Sequence, residues 1–333
     1  MSTSTPSAFA EGRQLWTDLQ MAETLLFQAA AVTHREGMRT LFDGIDVEGP
    51  CRDLMIRAGS GFPTEGFRPE DYVVRYPFSN AEAIRAILEE LVELGFATLE
   101  AGAYAWTDRG IDAVRIWMDR VASMMSDLDL GDLASDDIVD LLRFDRQVIE
   151  ALAESEPPHG SPSLQFRFQG IRPPAEASPA LWHHWQHVWT ILAASEDEEE
   201  SVRRERSIDP LTWFLRRQLW FIDRRPWRAR ARTLEGLAAR AVGYAPFDQP
   251  QAACAATLEP LIEAGDVEER NGDLRLTEAG LAACDRDESE VDARLLDRWP
   301  KWTADETRRL REILDRLNGS LLERIRAGQG ERR

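Results

Sequence analysis

Three histidines within five residues raise the first question of chemistry. His183 and His187 are four residues apart with His184 between them, a spacing that lets two imidazoles on one helix share a metal ion. No acidic residue or cysteine lies nearby in sequence to complete a ligand set, so we expect partly exposed helix histidines and no metal. The sequence also has no Gly-rich phosphate loop, no Gly-x-Ser-x-Gly elbow and no His-Glu-x-x-His. It therefore predicts neither an enzyme nor a cofactor.

A stripe of tryptophans follows in the same predicted helix, which Ser178 and Pro179 begin. Its rings recur at intervals of three and four residues on one side. Such a stripe forms core or an inter-domain seam more often than a pocket wall, because aromatic rings bury large areas. The alternative is a ligand pocket lined by tryptophans, and its candidate residues are Trp182, Trp185, Trp189, Trp213 and Trp220.

A dense group of arginines lies between positions 203 and 240, where eleven arginines stand against four acidic residues. Such a cluster can hold phosphates. The alternative, which we favour, is pairing with the acidic run Glu196–Glu200 and with the acidic body of the protein. If the cluster binds DNA, the candidate contacts there and in a later predicted hairpin are Arg224, Arg225, Arg228, Arg230, Arg232, Arg270 and Arg275.

The overall composition and charge limit which of these binding alternatives are plausible. The chain has 333 residues, 43% of them hydrophobic, so it can bury more than one core. A formal charge of −19 argues against a chain coated with nucleic acid. Three widely spaced cysteines without a Cys-x-x-Cys pair fit a reducing cytoplasm. The Ser/Thr-rich start lacks an export pattern and no segment has about 18 uninterrupted apolar residues, so we expect a cytoplasmic protein outside the membrane.

The two halves of the sequence repeat one pattern in phase. In each half a capped amphipathic segment runs into a glycine, Gly95 or Gly265, and a second glycine follows fifteen residues later. The first glycine suits a left-handed helix end. Turns at Gly102 and Gly272 predict a hairpin in each copy. Ser79 and Asp248 are the expected N-caps before the hairpins, and Thr107 and Thr277 are those after them.

This order of helix, helix, hairpin, helix, helix resembles the multiple-antibiotic-resistance regulator (MarR) family of winged-helix proteins. The motif Leu276-Thr-Glu-Ala-Gly280 and the run from Trp302 to Leu317 carry the likeness, which covers Pro210 to Ile325 well and Arg13 to Leu152 more loosely. Members of that family are usually homodimers that pack their first and last helices together. The resemblance therefore implies a mainly α fold of tandem winged helix-turn-helix units with small β-hairpin wings, arranged as a single-chain pseudo-dimer.

The expected division follows from this likeness. Residues 1–12 form a disordered N-terminus, 13–153 the first winged-helix unit, 154–207 a linker with the Trp-rich helical insert, 208–327 the second unit and 328–333 a disordered tail. Within the linker, Leu164–Phe168 alternates like a short strand.

The resemblance places Asn80–Leu94 and Gln249–Ala264 as the helices that enter the DNA major groove. The first carries four glutamates against Arg85, and the second has no Lys or Arg, so neither has the groove-reading residues of the family. Three hypotheses remain: a regulator that contacts double-stranded DNA and senses a small molecule, a degenerate winged-helix protein that binds a protein partner, and a protein that binds a small hydrophobic ligand. Either a monomer or a homodimer is compatible with each.

Overall fold

A computed structural model of the chain describes residues 6–64, 66–131, 133–156, 163–171, 179–228, 231–244 and 249–330. This part of the chain is mainly helical, with two small antiparallel hairpins. The elements of the first half are α1 (Pro6–Thr33), α2 (Arg35–Arg39), α3 (Gly49–Gly61), α4 (Pro69–Arg75), α5 (Ala81–Glu93), β1 (Ala97–Glu100), β2 (Ala103–Trp106), α6 (Asp108–Ser126) and α7 (Ser135–Glu154). Those that follow are α8 (Ser163–Gln169), α9 (Ala180–Glu205), α10 (Pro210–Arg224), α11 (Leu234–Tyr244), α12 (Pro250–Glu263), β3 (Val267–Arg270), β4 (Asp273–Leu276), α13 (Glu278–Asp297) and α14 (Ala304–Gly330).

The two hairpins have the same register and the same turn. Strand β1 begins opposite the end of β2, with Ala97 facing Trp106, and Val267 faces Leu276 in the second copy. Both turns place two successive residues at positive φ, 49° and 80° in the first hairpin and 56° and 83° in the second. This is the conformation that a tight two-residue turn requires. The predicted hairpins are therefore confirmed.

Each hairpin is joined to the following helix by the same hydrogen bonds. The Thr107 hydroxyl donates to the Gly95 carbonyl over 2.8 Å and accepts from the Gly110 amide over 3.2 Å. In the second copy Thr277 donates to Gly265 over 2.6 Å and accepts from the amide three residues later over 3.2 Å. Gly95 and Gly265 have φ of 78° and 76°, which confirms the predicted left-handed helix ends and the two threonine caps.

The long helices pair crosswise between the halves. The first helix, α1, packs along the last helix, α14, and α7 of the first half packs along α9 of the second. The Asn318 amide donates to the Asp18 carbonyl over 3.1 Å, and Arg324 donates to the Thr33 hydroxyl over 3.3 Å. The residue numbers of both partners increase from the first of these contacts to the second. Helices α1 and α14 therefore run in the same direction.

Two hydrophobic cores lie in the described part of the chain. The larger core joins the first half to α9 and α14, and it includes Trp16, Trp182 and Leu314. The smaller one lies among α10, α11, α12, β3, β4 and the start of α13, a group of elements that we call the second hairpin unit. The large core has members on both sides of the boundaries predicted at 153 and 207, and the Trp-rich helix α9 contributes several of its buried residues.

Several local expectations differ from the structure. Leu164–Phe168 is helical, because α8 is capped by the Asp197 carboxylate, which accepts from the amides of Ser163 and Leu164 over 2.8 and 3.1 Å. Asn80, not Ser79, caps α5, since its side chain accepts from the Glu82 amide over 2.8 Å. Asp248 lies outside the described residues.

The chain ends differ as well. Residues 6–12 and 328–330, expected to be disordered, are helical in α1 and α14. The contacts at these ends are interhelical: Arg13 pairs with Asp292 over 2.8 Å, and Arg35 donates a hydrogen bond to the Gly328 carbonyl. Residues 1–5 and 331–333 lie outside the described part.

Candidate functional site

The two helices that the resemblance assigns to the DNA groove expose carboxylates and small side chains. On α5 the solvent-facing residues include Glu82, Glu89, Glu90 and Glu93, and Arg85 pairs with Glu70 over 2.8 Å. On α12 the exposed face consists of alanine, glutamine and glutamate side chains, with Pro260 and Ile262. Base edges and phosphates are read by cationic and amide side chains, so these exposed faces repel a duplex more than they attract it.

The arginine cluster is bound internally to acidic residues. Arg203 and Arg204 pair with Glu200 over 2.7 and 2.5 Å. Arg217 pairs with Glu199 over 2.5 Å and with Glu288 over 2.6 Å. The prediction that the cluster pairs with the acidic run and the acidic body is therefore confirmed at these positions.

The predicted DNA contacts separate into three groups. Arg225 is 3% exposed, donates to the Gln20 side chain and lies over the rings of Trp220 and Phe221, so its prediction as a DNA contact is wrong. Burial lowers the pKa of Arg225 to about 10. Arg224 pairs with Asp285 over 2.5 Å, and Arg228 stacks on Phe221 with 4.6 Å to the ring centroid. These cations are engaged within the protein.

Three further candidates lie on or beside the second hairpin. The Arg270 side chain is 69% exposed and pairs with Glu268 over 2.9 Å. Arg232 and Arg275 approach Asp273 at 3.8 and 3.9 Å. Arg230 lies outside the described residues. The second hairpin is therefore the place where exposed arginines of the candidate set come together.

The tryptophan stripe lies in the large core. Trp182 and Trp185 are buried and stack at 5.1 Å between centroids, and Trp185 meets Trp189 at 4.9 Å. The Trp189 indole donates to Glu23 over 2.7 Å. The core interpretation of the stripe is confirmed, and the pocket-wall alternative is wrong for Trp182 and Trp185. Trp220 is also buried, with its indole N–H donating to Asp285 over 2.8 Å.

Of the five tryptophan candidates, Trp213 alone lines the larger of two described cavities. This cavity, of about 110 Å³, lies where the connection between α4 and α5 meets α9 and α10. Aromatic rings come from both halves of the chain: Tyr76, Phe78, Trp213, Phe214 and Phe221. Phe78 and Phe214 are in contact across the junction, with 4.8 Å between ring centroids. A cavity of roughly 150 Å³ accommodates benzene, so this one suits a molecule no larger than a single ring.

Charged groups complete the cavity wall. The Arg75 guanidinium pairs with Glu196 over 2.9 Å and donates to the Gly61 carbonyl over 2.9 Å, which holds the end of α4 against α9. Burial raises the pKa of Glu199 to about 7; Arg217 and Arg228 oppose this rise, while the charges of Glu288 and Glu196 add to it. The buried indole N–H of Trp213 has no acceptor among the described residues. A buried N–H without an acceptor costs free energy, and a hydrogen-bond acceptor on a bound small molecule would remove that cost.

The histidines form a buried contact between helices. His184 Nδ1 lies 2.7 Å from the Asp145 carboxylate of α7, and His187 Nδ1 lies 3.5 Å from the same oxygen. Burial alone would raise the pKa of Asp145, but the two histidines hold it below its ordinary value. His184 is buried, unlike the partly exposed histidine that was expected. In the described ranges, no group of three or more potential ligands is placed to hold a metal ion.

The three cysteines provide a direct test of burial. Burial raises the pKa of Cys51 to about 12 and the pKa values of Cys254 and Cys284 to about 11. A thiol reacts through its thiolate, so at pH 6 we expect all three to react with dithiodipyridine about 100-fold more slowly than in the urea-unfolded chain. Stopped-flow absorbance of native and unfolded protein measures the ratio. One thiol reacting at the unfolded rate would show that its surroundings open freely.

Sequence reasoning found Trp213 but missed the rest of the cavity. Tyr76 and Phe78 carried no motif, and they meet α10 only because the chain returns about 130 residues later. In the sequence, Glu199 is one of five consecutive acidic residues and nothing else distinguishes it. One signal was available in the sequence: Tyr76 and Phe78 flank Pro77 shortly before Asn80, the N-cap of α5. This aromatic pair could have marked the connection between α4 and α5 as part of a site.

Comparisons of the chain with protein-family models, with curated proteins and with solved structures found no match. Across the described ranges, no helix combines the length and the apolar run that crossing a bilayer requires.

Proposed function

We propose that the chain is a tandem winged-helix protein, in which one polypeptide supplies both halves of a MarR-like dimer. Three observations support this proposal. The hairpins share register, turn and threonine caps. Apart from the short helix α2, the order from α9 to α14 matches that of the first half if α9 corresponds to α1. The first helix of each half then packs against the last helix of the other, as the two subunits of such a dimer would.

We further propose that this protein binds a small single-ring molecule in the cavity at the junction of its halves. The observation that carries this proposal is the cavity wall itself, in which aromatic rings come from both halves and one of them, Trp213, has an indole N–H without an acceptor among the described residues. The wall's carboxylates already have arginine partners, whereas the indole donor has none. The favoured ligand therefore brings an aromatic ring and a hydrogen-bond acceptor.

Ligand binding is tested by thermal unfolding with benzoate, benzamide and toluene, which share a ring and differ in their acceptors. We expect benzoate or benzamide to raise the midpoint by about 1–3 °C at concentrations well above Kd, and toluene to do less. Trp213→Phe keeps a ring and removes the N–H, so it should abolish this difference. Trp189→Phe, outside the cavity wall, is the matched control. Equal shifts by all three compounds, or an unchanged response in Trp213→Phe, would contradict the proposal.

Regulation through DNA is the second candidate function, and the exposed arginines of the second hairpin favour it. The acidic face of α5 opposes it, and we expect no binding of a generic 30-base-pair duplex at 50 mM salt by fluorescence anisotropy. Two results together would favour the regulator instead. The duplex would bind with an affinity that falls steeply with salt, and the double variant Arg270→Ala/Arg275→Ala would lose this binding while the control Glu269→Ala kept it.

A further inference from the structure

Charged side chains of both signs line the cavity at the junction of the halves. On α9, Arg203 holds both carboxylate oxygens of Glu200, through its Nε over 2.8 Å and through a terminal nitrogen over 2.7 Å. At the end of α4, the Arg75 guanidinium pairs with Glu196 over 2.9 Å. Such charge-assisted contacts satisfy both partners at once. Neither pair therefore has an unmatched charge for a ligand to neutralise.

The other charged groups of the cavity meet around Arg217 of α10. Its guanidinium lies between two carboxylates, that of Glu199 on α9 at 2.5 Å and that of Glu288 on α13 at 2.6 Å. Burial raises the pKa of Glu199 to about 7, and the charges of Arg217 and Arg228 oppose this rise. Arg228 also stacks on Phe221 of the cavity wall. Two arginines therefore face two carboxylates on this side.

The charges around the cavity are balanced. Four arginines and four glutamates form this group, and each arginine lies near a glutamate. Arg204, a second partner of Glu200, lies outside the cavity wall with its side chain 45% exposed, where water and salt screen its charge. A charged ligand would lose hydration in the cavity and find no unmatched countercharge among the described wall residues, which costs free energy. An uncharged ligand avoids this cost.

We propose that the cavity selects uncharged single-ring molecules with a carbonyl acceptor over ring carboxylates and ring amines of the same size. This inference rests on the proposed function, because it names the chemical class of ligand for the cavity assigned there. Trp213 of the wall accounts for the acceptor, since its buried indole N–H has none among the described residues. A neutral carbonyl oxygen accepts a hydrogen bond without bringing a charge that the wall would have to offset.

The selectivity is measured with four ligands of nearly equal size: benzamide, acetophenone, benzoate and benzylamine. At pH 8 benzoate is an anion and benzylamine is a cation, and Glu199 is charged because this pH lies above its pKa of about 7. Titration of each compound with the full chain, followed by proton NMR of the compound, gives its Kd even when binding is weak. We expect benzamide and acetophenone to bind about 10-fold more tightly than benzoate and benzylamine.

Glu196→Gln should create a place for a carboxylate. The variant removes the charged partner of Arg75 and keeps the size of the side chain, so the carboxylate of benzoate can pair with Arg75 instead. We expect benzoate to bind this variant about 10-fold more tightly than the wild type, while the Kd of acetophenone changes less than about twofold.

Glu205→Gln is the matched control, because it makes the same change on the same helix outside the cavity wall, where Glu205 pairs with Arg294. It should leave the Kd of all four compounds unchanged, as expected of a substitution away from the ligand. An equal gain of benzoate binding in this control would contradict the role assigned to Arg75.

Two results would overturn the selectivity and leave the proposed cavity site in place. One is benzoate binding the wild type as tightly as benzamide does, and the other is benzoate binding that Glu196→Gln does not strengthen. If none of the four compounds bound, the proposed function itself would be wrong, and this inference with it. If Glu196→Gln fails to fold, the order of the four Kd values in the wild type decides.

Discussion

Trp182→Ala is expected to lower the free energy of unfolding by about 3–5 kcal/mol, which makes it one of the two most damaging substitutions that we predict. Trp182 is 0% exposed, and its ring stacks on Trp185 in the large core that α9 shares with α1, α7 and α14. Truncation leaves a cavity between helices of both halves, which the surroundings refill only in part. Urea unfolding followed by far-ultraviolet circular dichroism measures the loss.

The control for Trp182→Ala is Trp213→Ala, a tryptophan of the cavity wall that is only partly buried. We expect it to cost about 1–2 kcal/mol, since less apolar area returns to water. If Trp182→Ala cost as little as this control, the stripe would not be a structural core, and the helix pairing built on it would need revision.

Gly110→Ala and Gly280→Ala are each expected to destabilise the protein by about 2–4 kcal/mol. A Cβ at Gly110 would lie 2.2 Å from the Phe96 carbonyl oxygen, and one at Gly280 would lie 2.1 Å from the Asp266 carbonyl oxygen. Both contacts are with backbone, so relief requires the hairpin to move away from the following helix. Because the two joints have the same geometry, the two substitutions should have similar costs.

Gly319→Ala separates this clash from the general effect of replacing glycine in a helix. Beyond the backbone of α14 itself and the two neighbouring residues, no atom lies within 4 Å of a Cβ placed at Gly319, so alanine there should stabilise by about 0.5–1 kcal/mol. Thermal unfolding of the three variants gives the comparison. A stable Gly280→Ala protein would contradict the tight joint between β3 and α13.

Local spacing was enough to predict the repeated parts of the fold. The hairpins, their turn glycines and the caps at Thr107 and Thr277 depend on residues within about fifteen positions of one another. The pairing of the arginine cluster followed from charge balance, since so acidic a chain offers many partners for buried guanidinium groups. Such features need no knowledge of which distant segments meet.

Features that depend on distant segments were missed or misjudged. Leu164–Phe168 alternates like a strand, but the Asp197 carboxylate more than thirty residues away caps it as a helix. The Trp-rich segment was expected to be an insert, because nothing in its own sequence shows that α7 and α1 cover it. The cavity escaped prediction for the same reason, since its walls come from opposite halves of the chain.

The crosswise pairing of helices has a consequence for how the chain acquires its structure. Asp18 meets Asn318, so the part of α1 that packs on α14 has no permanent cover until about three hundred further residues have been synthesised. Contacts so distant in sequence slow folding and prolong exposure of apolar surface. A ribosome-bound or truncated N-terminal half therefore exposes apolar surface of α1 to chaperones and proteases. Either half made alone should be short-lived in a cell.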